Sequence, residues 1–132
     1  MQSIGGTTAT TRMVGALGDL AAVLLALPGV ELGRMFLGPA PLVARMRAFS
    51  KRLPERAASE RTRLRRVIAS VDARLPGGAN CYRRSLLEVA LDPDAAAEPF
   101  FLGLASSGGH GSGHVWIGPR SDRRAYGAVI CL

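Results

Sequence analysis

The sequence is poor in cysteine, histidine, lysine and aromatic residues. Its 132 residues hold two cysteines, two histidines, a single lysine and only 5% aromatic side chains. Two cysteines are too few for a disulfide scaffold, so the fold must rest on a hydrophobic core, and the thiols are expected to be reduced, as in a cytoplasmic protein. The length allows such a core, because a chain of this size buries roughly two-thirds of its unfolded surface. A second full domain does not fit, which makes one compact soluble domain the expectation. Two histidines and two distant cysteines give no metal-ligand spacing.

Uninterrupted apolar sequence is also scarce. The run from Met13 to Val30 is broken by Asp19 and by Gly15, Gly18, Pro28 and Gly29. Its uncharged part, Leu20 to Val30, is too short to span a bilayer, so no integral membrane segment is expected. A secretory signal is not expected either, since Arg12 is the only charge before the run and residues 27–32 read LPGVEL. The run is expected to form a helix from about Met13 to Leu27 that packs on the domain or on a partner.

What the chain does have is positive charge, unevenly placed. Residues 1–44 are neutral, residues 45–84 carry a net +9, and residues 85–132 carry a net −2. Such a middle segment is able to bind phosphates. However, Arg61, Arg63, Arg65 and Arg66 share a helical pattern with the apolar stripe Leu64, Val67, Ile68, Val71 and Leu75, which places them mainly on a solvated face. No helix-turn-helix, zinc-finger or RNP-type pattern accompanies the charge, so no nucleic-acid partner is expected, and a basic nucleic-acid-binding module through residues 45–84 stands only as an alternative.

Periodicity and turn residues predict a helical first half and a β-rich end. A Gly38–Pro41 turn leads to a short helix, Leu42 to Leu53, and then to an amphipathic helix from about Pro54 to Leu75. Pro76-Gly77-Gly78 stops that helix. Asn80 caps the next, Cys81 to about Leu91, whose buried stripe is Tyr82, Leu86, Val89 and Ala90. Strands follow at Phe100–Ala105, His114–Ile117 and Tyr126–Cys131, the first two joined as a hairpin by the Gly/Ser-rich loop from Ser106 to Gly113. The expected class is α+β, with an N-terminal helical segment over residues 1–53 and a core over 54–132 in which the Cys81 helix packs on a small antiparallel sheet.

Cys81 is placed as a nucleophile. It opens a helix, where free backbone N–H groups and the helix dipole favour a thiolate. His114 opens a strand of the adjacent sheet and is suited to take the thiol proton and return it to a leaving amine. His110 is the competing base, but it lies in the Gly/Ser loop, where an imidazole is poorly held. Trp116, two residues after His114, should share its side of the strand, as a shield, a substrate wall or a core aromatic. The Cys81 backbone N–H is the natural oxyanion donor; Asn80 either adds a side-chain amide or serves only as the cap. Arg74 is read as structural, pairing with Asp72 or fixing the loop before Cys81. Cys131 is expected to pack within the last strand.

Three stretches carry a family resemblance: Val71-Asp72-Ala73-Arg74-Leu75-Pro76, Asn80-Cys81-Tyr82-Arg83-Arg84-Ser85-Leu86-Leu87-Glu88, and Gly111-Ser112-Gly113-His114-Val115-Trp116-Ile117-Gly118. Over roughly residues 54–132 the chain resembles the leader peptidases of lasso-peptide biosynthesis, in the transglutaminase-like superfamily. The resemblance implies a papain-like fold and a cysteine peptidase that removes the leader from a ribosomally made precursor peptide, with Cys81 as nucleophile and His114 as base. It also implies a small leader-binding recognition protein and a lasso cyclase as partners, with no metal or cofactor in the peptidase itself. The chain departs from the family at the orienting acid, where Tyr126-Gly127 stands in place of Tyr-Asp. Either Asp122 substitutes, or the enzyme runs as a Cys–His dyad, or the chain is a degenerate, non-catalytic peptide-binding module.

Overall fold

The structure, a computed structural model, describes residues 5–104, 113–118 and 128–132. Five helices precede a three-stranded antiparallel sheet, the coarse α+β order that the sequence predicts. The helices are α1 (Gly5–Phe36), α2 (Pro39–Ser50), α3 (Ala58–Arg74), α4 (Cys81–Leu91) and α5 (Pro93–Ala97). The strands are β1 (Phe100–Leu104), β2 (Gly113–Ile117) and β3 (Ala128–Cys131), in the order β2-β1-β3.

α4 is the centre of the molecule. Leu86, Leu87, Val89, Ala90 and Leu91 are all buried on it, and α1, α2, α3, α5 and β2 pack around it. Val23 and Val30 of α1, Leu42 and Val43 of α2, Leu64 and Ile68 of α3, Phe100 of β1 and Val115 of β2 complete one continuous core. That core crosses the expected boundary at residue 53, so the N-terminal helices dock on the domain.

α1 differs from its expected form. It continues through Pro28 to Phe36 for 32 residues. An interior proline forfeits one hydrogen bond and crowds the carbonyl four residues earlier. Here Leu24 and Pro28 both lie on the exposed side, where water can satisfy that carbonyl, while burial of Val23 and Val30 holds the helix on its support. The length argument against a membrane segment therefore fails: by length and composition alone, Thr8–Phe36 is long and apolar enough to cross a bilayer.

Other boundaries follow local chemistry. α2 begins at Pro39, whose fixed φ suits the first helical position. α3 begins four residues later than expected, where the Ala57 N–H donates to Glu60 Oε2 at 2.9 Å. Asp92-Pro93 ends α4 and also starts α5, with the Asp92 carboxylate accepting from the Asp94 N–H at 3.1 Å.

The arginines do not form a merely solvated face. Arg63 and Arg56 both grip the buried Asp19 of α1, at 2.6 and 2.8 Å. Arg61 reaches Asp92 and Asp94 at 3.0 and 3.1 Å, and Arg65 pairs with Glu88 of α4. Hydrogen bonding to Asp92, the largest influence, holds the Arg61 pKa above its usual value. Arg47 donates to the carbonyls of Ala96, Glu98 and Leu132, tying α2 to both ends of the sheet segment. These guanidiniums complement acids and carbonyls on neighbouring elements; the i, i+3, i+4 pattern of one helix could not reveal such partners.

Candidate active site

The approach to Cys81 is fixed by a turn and a buried ion pair. Gly77 and Gly78 take positive φ values of 87° and 72°, a conformation that L side chains rarely adopt, and the Gly78 N–H closes the turn on the Leu75 carbonyl at 3.0 Å. Asp72, fully buried near the end of α3, accepts from the Asn80 N–H at 2.8 Å and from Arg83 Nε. Arg83 also donates to the Gly78 carbonyl at 2.8 Å. Asp72 and Arg83 thus clamp residues 78–83 and fix where the first turn of α4 begins.

Arg74 is not part of this clamp. Its guanidinium turns back to the carbonyl and hydroxyl of Ser70 on its own helix. Arg83 takes the expected role because α4 directs it back at Asp72, whereas Arg74 is exposed at the outer end of α3. Asn80 is the N-cap of α4, its side-chain oxygen accepting from the Arg83 N–H at 3.0 Å.

Cys81 is half-buried and unpaired by disulfide, and with His114 it lines one cavity of about 230 Å³. α4 supplies Cys81 from its first turn and β2 supplies His114 from the edge of the sheet. Val115 occupies the face of β2 turned towards α4 and is buried, so His114 and Trp116 stand on the other face. Gly103 lies opposite His114 in the ladder and presents no side chain to it. The imidazole stacks on Trp116 with ring centres 5.9 Å apart, and Trp116 stacks on Phe101 at 5.4 Å. Trp116 therefore shares His114's side of the strand, as the alternation predicts. No hydrogen bond joins the thiol to the imidazole.

The same cavity is lined by Arg65, Ser85 and Glu88. These three also line a second cavity, of about 400 Å³, with Trp116 and Ile117, so the two cavities share a wall. Ser85 and Glu88 are not among the expected site residues, although the sequence carries a signal for them. Cys81, Ser85 and Glu88 fall at i, i+4 and i+7, a polar stripe beside the buried one on α4.

Cys131 departs from its expected packing role: it is exposed and unpaired by disulfide on β3, an edge strand with little cover. His110, Asp122, Tyr126 and Gly127 lie outside the described residues. Among the described residues no group of three or more histidine, cysteine or acidic side chains could hold a metal ion. Comparisons with protein-family models, curated proteins and solved structures find no match to this chain.

Proposed function

We propose that this protein is a cysteine peptidase that removes the leader from a ribosomally synthesised lasso-peptide precursor. The observation that supports the reading is that Cys81, at the start of α4, and His114, on the edge strand β2, both line one cavity, although the imidazole stands on the face of β2 turned from α4. The sequence resemblance supplies the substrate class. In a papain-like reaction His114 takes the Cys81 proton, and the sulfur attacks the scissile carbonyl. The resulting oxyanion is met by the Cys81 backbone N–H at the open end of the helix. Collapse breaks the C–N bond, the imidazolium protonates the departing amine of the core peptide, and a thioester to the leader remains. Water, deprotonated by His114, then hydrolyses the thioester and frees the enzyme.

Trp116, in the second cavity, serves as a wall for the peptide. Asn80 acts here as the cap that sets the helix start. The partners are the precursor, a leader-binding recognition protein that presents it, and a lasso cyclase that uses the freed amine. A reactive, unpaired thiol fits a reducing cytoplasmic setting.

The test is inactivation coupled to site mapping. Iodoacetamide should abolish precursor cleavage in proportion to alkylation of Cys81, with modification of the exposed Cys131 having no effect. Full cleavage by protein quantitatively alkylated at Cys81 would refute the reading.

A further inference from the structure

A second surface, on the first two helices, has no part in the peptidase reading. Met13, Leu17, Leu24 and Met35 recur along one line of α1, with Leu25 and Phe36 on its flank, and all six are between 51% and 82% exposed. From Met13 to Met35 the stripe runs about 33 Å at the helical rise. Few soluble surfaces expose an apolar patch of this extent without a binding role. The opposite face of α1 is fully committed: Val23 and Val30 are buried and Asp19 is held by Arg56 and Arg63. A helix anchored in this way cannot leave the body to cross a bilayer without baring those charges.

The stripe continues onto α2 and ends in positive charge. Between the helices lies a cavity of about 750 Å³, lined by Leu25, Ala26, Met46 and Phe49 together with Arg45 and Arg52. Arg45, Lys51 and Arg52 are exposed and none has an ion-pair partner among the described residues, unlike Arg56, Arg61, Arg63 and Arg65. An apolar helical face bordered by uncompensated cations matches the interface of an anionic bilayer, where side chains enter the acyl boundary and cations meet phosphates. A peptide helix seated in the groove would cover Leu25 and Phe49 but leave the two ends of the stripe in water. A lipid plane covers its whole length.

We propose that α1 and the adjoining edge of α2 dock the protein on the surface of an anionic phospholipid bilayer without spanning it. The experiment is co-sedimentation of the full chain with phosphatidylcholine vesicles, with and without phosphatidylglycerol. The protein should pellet with the anionic vesicles, less with phosphatidylcholine alone, and less as salt is raised. Leu17→Glu with Leu25→Glu should abolish pelleting, while Arg45→Ala and Arg52→Ala should each weaken partition into anionic vesicles about fivefold. All four side chains are exposed, and circular dichroism melts verify that the variants fold. No pelleting with either vesicle, or unchanged pelleting of the double glutamate variant, overturns the proposal. A dimer in sedimentation velocity that forms without lipid and is lost in the glutamate variant would also overturn it, assigning the face to a second copy.

Discussion

At the scale of single residues, the site depends on groups that do no chemistry. Asp72 is fully buried and its partner Arg83 nearly so, and removing one member of such a pair strands the other charge. Asp72→Ala is expected to cost about 3–5 kcal/mol in denaturant unfolding, and the surviving fold should alkylate more slowly at Cys81 than wild type. A conservative Asp72→Asn change, which keeps an acceptor for the Asn80 N–H, should restore part of that rate. Tyr82 offers a test by pH. Burial raises its phenol above the usual 10.0, outweighing a lowering by Arg34, whose guanidinium lies 5.6 Å from the ring. The folded state then holds the proton more tightly than the unfolded chain. The stability tied to it is complete below the unfolded value and is lost as pH rises through the folded one. Tyr82→Phe should flatten this alkaline decline in thermal melts above about pH 10.

At the scale of elements, the sequence exposed type better than extent. The 3.6-residue stripe through Leu64, Ile68 and Leu75 and the turn residues around Gly77 located α3 and α4, because burial of one face writes itself into the spacing. The sequence places a stop at Leu27 because proline is a local breaker, whereas the continuation of α1 is decided by Val23 and Val30 meeting other helices, which no local window contains. α5 leaves no signal in the sequence because its five residues are too few to show a period. At the site, Cys81 and His114 were legible as residue types at a helix start and a strand start. Their lining of one cavity, the Asp72–Arg83 clamp and the wall formed by Ser85 and Glu88 depend on tertiary placement. The proline also supplies a prediction: with its backbone position exposed, Pro28→Ala should restore an interior hydrogen bond and stabilise the protein by about 1–3 kcal/mol, read as a rise in the denaturation midpoint.

For the whole molecule, charge and apolar surface are divided by region. The basic middle of the chain pairs most of its arginines with Asp19, Asp72, Glu88, Asp92 and main-chain carbonyls of neighbouring elements, which leaves less free charge on α3 for a phosphate-binding face. Uncompensated cations gather instead beside the exposed stripe of α1. The cavity with Cys81 lies between α3, α4 and the edge of the sheet, so the proposed docking face on α1 and the proposed peptidase site on α4 use different elements. Asp122 and Gly127, the two positions on which the question of an orienting acid turns, lie outside the described residues. Asp122→Ala and Gly127→Asp, assayed side by side, locate it: loss in the first assigns the role to Asp122, and a gain in the second shows that the site works without an acid.

The central claim is that Cys81 and His114 together cleave a peptide bond. Its most direct test is intact-mass measurement of the precursor after incubation with the leader-binding partner and wild type, Cys81→Ala or His114→Ala. Wild type should release the leader as one discrete fragment, Cys81→Ala should release none, and His114→Ala should be slower by about 10²–10⁴-fold. Cleavage by Cys81→Ala at the wild-type rate, or an intact precursor bound to folded wild type, would contradict the account.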